Sequence, residues 1–99
     1  MQEIEMMRET FRLLTIATQE RLEERFHVVV KFGDRIILAG HYYTGEHSPS
    51  WYSAVYRFTG PGRSCEDTVV LARISDQFFE DEGHALLWAM ENSDEWRRP

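Results

Sequence analysis

The strongest constraint on this chain is a change of hydrophobic period at Phe26. Before it, Ile4, Met7, Phe11, Leu14 and Leu22 follow one another at helical intervals, with polar Thr18 interrupting the row and Glu, Arg and Gln filling most other positions. Such spacing puts the apolar residues on one stripe of a helix, and it predicts a single helix over Gln2–Arg25. From Phe26 onward, β-branched and aromatic residues recur at every second position, the period of a strand. The connections between the later segments are short, whereas parallel neighbours need a crossover of a dozen residues or more. The chain therefore reads as α+β with an antiparallel meander.

Four strands are expected: Phe26–Phe32, Ile36–Tyr43, Trp51–Phe58 and Thr68–Ile74. Gly33–Asp34 is a turn signal between the first two. A two-residue turn would group Val28, Val30 and Phe32 with Arg35 and Ile37. A three-residue loop, Gly33–Arg35, would group them with Ile36, Leu38 and Tyr42 instead. The second register separates apolar from polar side chains more cleanly, and a one-residue slip exchanges the two faces, so the three-residue loop is the expectation. Thr44–Ser50 and Gly60–Pro61–Gly62 read as exposed connections. A final helix carries Phe79, Leu86, Leu87 and Met90 on one stripe together with Gly83, with Ser75 or Asp76 as its cap. The expected architecture is a single two-layer α+β domain over residues 1–99, in the order α-β-β-β-β-α. Its four-stranded antiparallel sheet would carry both helices on one face and exposed aromatics on the other.

Composition narrows the class. An apolar fraction of 42% with thirteen aromatics, three Trp, four Tyr and six Phe, supports an ordinary core. Cys65 is the one cysteine, so an internal disulfide is excluded. No apolar run approaches the roughly 20 residues of a membrane helix, and MQEIEMMRETF carries acids where a secretion signal carries cations. A cytoplasmic protein is expected. The bases are ten Arg and one Lys, a skew common in GC-rich genomes, which points to a bacterium, its phages or its mobile elements.

The net charge of −6 is uneven. Residues 1–73 carry ten acids against nine bases, residues 74–96 carry seven acids and no base, and Arg97 and Arg98 close the count. No basic stripe of the kind phosphate contacts require is visible along the chain, which argues against direct nucleic-acid binding.

Catalytic signatures are missing too. His41, Glu46 and His47 in GHYYTGEH, with His27 and His84 elsewhere, match no established zinc-ligand spacing. Cys65 in GRSCED stands beside two carboxylates, which disfavour the thiolate. The glycines of FTGPGRS do not open a helix as a phosphate loop does, and no Gly-x-Ser-x-Gly occurs. No catalytic residue, metal or cofactor is assigned, and the chain is not expected to be an enzyme.

What remains is SDQFFEDEGHALLWAMENSDEW, Ser75–Trp96. Its early acids, Asp76, Glu80, Asp81 and Glu82, suit the positive end of a helix dipole. Glu91, Asp94 and Glu95 sit at the opposing end, where local relief would come only from Arg97 and Arg98. Aromatics flank them, and Tyr and Trp are enriched in binding hot spots while acids steer association with basic surfaces. The expected partner-binding set is Glu80, Asp81, Glu82, Trp88, Glu91, Asp94, Glu95 and Trp96, with Tyr43, Trp51 and Tyr52 around the Thr44–Ser50 loop. These features suggest a non-enzymatic protein that binds and inhibits a basic, nucleic-acid-handling partner protein. Nucleic-acid mimics, toxin immunity proteins and anti-CRISPR-like phage inhibitors belong to that class. The alternatives are a homodimeric structural subunit and a small ligand- or metal-binding enzyme domain using His41, Glu46 and His47.

Overall fold

A computed structural model describes residues 8–42 and 50–93. The elements are a helix α1 over residues 8–12, β1 (Ile16–Thr18), α2 (Gln19–Arg25), β2 (Val28–Phe32), β3 (Arg35–His41), β4 (Trp51–Phe58), β5 (Thr68–Ile74) and α3 (Glu82–Glu91). The chain is a small α+β domain built on an antiparallel sheet, but the sheet has five strands in the order β1-β5-β4-β3-β2 rather than four.

The fifth strand comes from the expected long N-terminal helix, which breaks at Thr15. The Thr15 hydroxyl donates to the carbonyls of Phe11 and Arg12, and its own carbonyl accepts from Leu71 N–H. Ile16, Ala17 and Thr18 then pair with Val70, Val69 and Thr68. Thr18 caps the restarted helix, its side chain accepting from Arg21 N–H at 3.2 Å. Two β-branched threonines thus serve as stop and start signals, and strand pairing overrides a helical periodicity that is unbroken apart from Thr18.

Between β2 and β3 the register is the two-residue one. Phe32 pairs with Arg35 and Val30 with Ile37. Gly33 takes φ 63° while no other described residue has a positive φ, the pattern of a turn with Gly at its first central position. The expected three-residue loop fails because its criterion assumed that one face of β3 is polar. In fact Ile36, Ile37, Leu38 and Ala39 are all buried, so alternation carries no register information there. A continuous apolar run is the mark of a strand covered on both sides.

That cover corrects the placement of the helices. On one face Ile36, Leu38, Ala54, Tyr56 and Val69 pack with Phe11, Leu14, Leu22 and Phe26 of the N-terminal segment. On the other face Ile37 and Val55 pack with Ala89, Leu86 and Trp88 of α3. The helices lie on opposite faces of the sheet, not on one. α3 is also shorter than expected. Its cap is Asp81, not Ser75 or Asp76. Phe79 precedes the helix and bridges to Trp51 through two backbone hydrogen bonds.

Candidate functional site

The acidic segment can be built from α3 outward. Asp81 is extended, with φ −151° and ψ 172°, and its carboxylate accepts from His84 N–H at 2.8 Å. The same oxygen lies 2.8 Å from His84 Nδ1. These hydrogen bonds, the backbone one foremost, hold the Asp81 carboxyl below the usual range. Asp81 therefore has a structural duty as a cap, while remaining exposed to solvent.

The sheet-facing side of α3 is made of Ala85 and Ala89, both fully buried, with Leu86 and Trp88 partly buried. The predicted stripe of Leu86, Leu87 and Met90 is thus split. Leu87 is 50% exposed and Met90 39%. Glu80, His84 and Glu91 are exposed as well, and Glu82 is half-buried. Within α3, residues 84, 87 and 91 recur at intervals of three and four, so imidazole, leucine and acid share one outward line, and Glu80 stands exposed just ahead of the cap.

The aromatic residues separate. Trp51 lies partly exposed at the start of β4, stacked on His41 with ring centroids 4.6 Å apart and edge-on to His27 at 5.3 Å. Trp88 meets Phe79 at 6.5 Å and is spent on packing α3. Tyr52 is a core residue, 5% exposed and edge-on to both Phe11 and Phe26, so it presents no surface to a partner. Burial pushes its hydroxyl well above the usual tyrosine range. Tyr43, Asp94, Glu95 and Trp96 lie outside the described residues, as do Glu46 and His47 of the histidine alternative. Among the described residues, no three His, Cys, Asp or Glu side chains are grouped to hold a metal ion, and no helix is long and apolar enough to cross a membrane.

The linear sequence missed a gathering of cations at the end of the sheet where β2 turns into β3 and β4 into β5. Arg35 and Arg57 are direct cross-strand partners. Lys31 donates to the Arg63 carbonyl, and both cations lie over the Phe58 ring, at 5.8 and 5.2 Å from its centroid. Pairing between strands distant in sequence assembles this end, so no run of bases betrays it. A charged residue at the matching end of each hairpin strand is the one signal that was present.

Residues 13–93 match the family described as nucleotide modification associated domain 4, and the chain belongs to that family. No curated protein and no solved structure is significantly similar to it.

Proposed function

We propose that this nucleotide modification associated domain is a non-enzymatic accessory protein of a phage or mobile element. In this reading it acts in the cytoplasm, where it docks on a basic, nucleic-acid-handling protein and inhibits it. The family's association with nucleotide modification supports the setting. The observation that carries the reading is the outer side of α3, where Leu87 and Met90 stand exposed on the same helix as exposed Glu91, with Glu80 and the cap Asp81 exposed ahead of its start. Acids steer a basic partner into encounter, and a desolvated apolar anchor then supplies most of the affinity. These acids lie at opposite ends of α3, Glu80 and Asp81 at its start and Glu91 at its end, rather than side by side, which favours recognition over general acid–base work.

The test is capture from bacterial lysate with tagged protein, followed by reconstitution with the purified partner and an assay of that partner's activity. Leu87→Ser is compared with the triple variant Glu80→Gln, Asp81→Asn, Glu91→Gln. Loss of a basic nucleic-acid-handling protein from the Leu87→Ser sample, and weakened, less salt-sensitive binding by the triple variant, are expected. Equal capture by all three proteins, or a partner whose activity is unaffected, overturns the reading.

A further inference from the structure

Where α3 ends, its last turn overhangs the sheet and encloses a cavity of about 310 Å³. Arg35, Val55 and Arg57 form the sheet side, Ala72 one wall, and Asn92 and Ser93 the lip. The volume sits at the lower end of the range for small-ligand sites. We propose that this cavity binds the phosphate group of a nucleotide, held between the guanidinium groups of Arg35 and Arg57.

Four observations converge on that ligand chemistry. First, Arg35 and Arg57 stand directly opposite on β3 and β4, and like charges in that position destabilise a sheet unless something between them compensates. Second, the compensation among the described residues is partial. Arg35 touches the Asp34 carboxylate through one nitrogen, at 3.2 Å, leaving most of its five N–H donors uncommitted by that pair. The Arg57 side chain has no hydrogen-bond or ion-pair partner among the described residues, and none of the described residues lining the cavity carries a carboxylate.

Third, the helix end does not consume the arginines. The Trp88 carbonyl accepts from the backbone N–H and the side-chain amide of Asn92, and the Met90 carbonyl accepts from the N–H and hydroxyl of Ser93. The Asn92 side-chain oxygen Oδ1 accepts from the Arg73 guanidinium at 3.1 Å. Fourth, the cavity owes its wall to a bulge. Val55 pairs with Arg73 and Tyr56 with Leu71, which leaves Ala72 as the extra residue of β5. Bulges bend a strand and are enriched beside functional sites, and this one sets a methyl group where a larger side chain would fill the space.

Planar guanidinium forks match the geometry of phosphate oxygens and bind them with two parallel hydrogen bonds. The partly buried Arg35, whose side chain is 16% exposed, supplies a positioned donor at the base. The exposed Arg57 is free to close over the ligand. The site is separate from the outer line of α3, so it stands or falls independently of partner docking.

Calorimetric titration with thymidine monophosphate, a short oligothymidylate, inorganic phosphate and phosphate-free thymidine tests the proposal. Saturable binding of the phosphate-bearing probes is expected, with thymidine inert. Arg57→Gln should weaken it by at least about tenfold, and Arg57→Lys, which keeps the charge but loses the fork, by less. Arg12→Gln, which removes an exposed arginine paired with Glu9, should change nothing. Tighter binding of the oligonucleotide assigns the site to a backbone phosphate, and tighter binding of the monophosphate assigns it to a free nucleotide. The proposal is overturned if no phosphate-bearing probe saturates, if thymidine binds equally well, or if folded Arg57→Gln and Arg57→Lys both bind like the wild type.

Discussion

The two faces of the sheet are built differently. On the N-terminal face, Phe11 stacks on Phe26 with centroids 5.2 Å apart, Tyr52 closes on both rings, and the buried Tyr56 hydroxyl donates to the Leu14 carbonyl at 2.5 Å. On the α3 face the fully buried helix residues are two alanines, the buried Ser53 hydroxyl has no hydrogen-bond partner among the described residues, and the sheet runs out into an arginine-lined cavity. Stacked rings and a satisfied hydroxyl mark one side; on the other, the helix buries only alanines fully and keeps Leu86 and Trp88 partly exposed. The first face holds the domain together, and the second gives up packing in exchange for accessible chemistry.

The largest effect that tests this contrast is a pair of leucine truncations. Leu22 is fully buried on the N-terminal face, and Leu22→Ala should cost about 2–5 kcal/mol in chemical denaturation. Leu87 stands half-exposed on α3, and Leu87→Ala should shift stability by no more than about 0.5 kcal/mol. Comparable losses at the two sites would break the distinction. Gly40 sharpens it on the same face. A Cβ there would stand 2.4 Å from the Tyr52 ring and hydroxyl, so Gly40→Ala should cost about 1–3 kcal/mol through overpacking, read as a lowered melting temperature.

Hydroxyl deletions should differ in sign between the faces. Tyr56→Phe strips the donor from the buried Leu14 carbonyl and should destabilise by about 1–3 kcal/mol. Ser53→Ala removes a buried hydroxyl that has no partner among the described residues, and should be neutral or stabilising by up to about 1 kcal/mol. Denaturant midpoints of the two variants measured side by side decide this. Two losses of equal size would mean that Ser53 has a satisfied role.

The contrast also explains what could be read from the sequence. β4 and β5 were legible at their observed bounds because turn residues bracket runs of β-branched and aromatic residues. The turn at Gly33–Asp34 was legible too, but not its register, since burial of β3 on both faces erases the alternation on which the choice depended. The break at Thr15–Thr18 was hidden because pairing with β5, a long-range contact, decides it against a helical stripe. Asp81, Glu82 and Trp88 were correctly located on or next to a helix, yet the stripe that looked buried is half outside, because alanines allow α3 to sit close to the sheet. The arginine cavity was invisible for the same long-range reason. Arg35 and Arg57 meet only once β3 and β4 pair.

The smallest effect concerns pH and the cap of α3. The Asp81 carboxyl is held below its ordinary value of 3.8 by hydrogen bonds from His84, the backbone one foremost. A carboxyl lowered on folding adds stability that is fully present above its unfolded value and is lost as pH falls through the lowered one. Denaturant midpoints of the wild type should therefore decline below about pH 4, with part of that slope due to Asp81. Asp67, lowered by its hydrogen bonds to Ser64 in the β4–β5 connection, contributes in the same window and in the same direction. Asp81→Asn keeps a side chain that can cap the helix but removes the titration. Its acid slope should be shallower than that of the wild type and should retain the Asp67 component, while the two proteins stay close in stability at neutral pH. Parallel acid slopes would show that the Asp81 charge adds nothing to folding. The outward acids of α3 would then be held there by something other than the stability of the helix they decorate, which is what a surface kept for a partner requires.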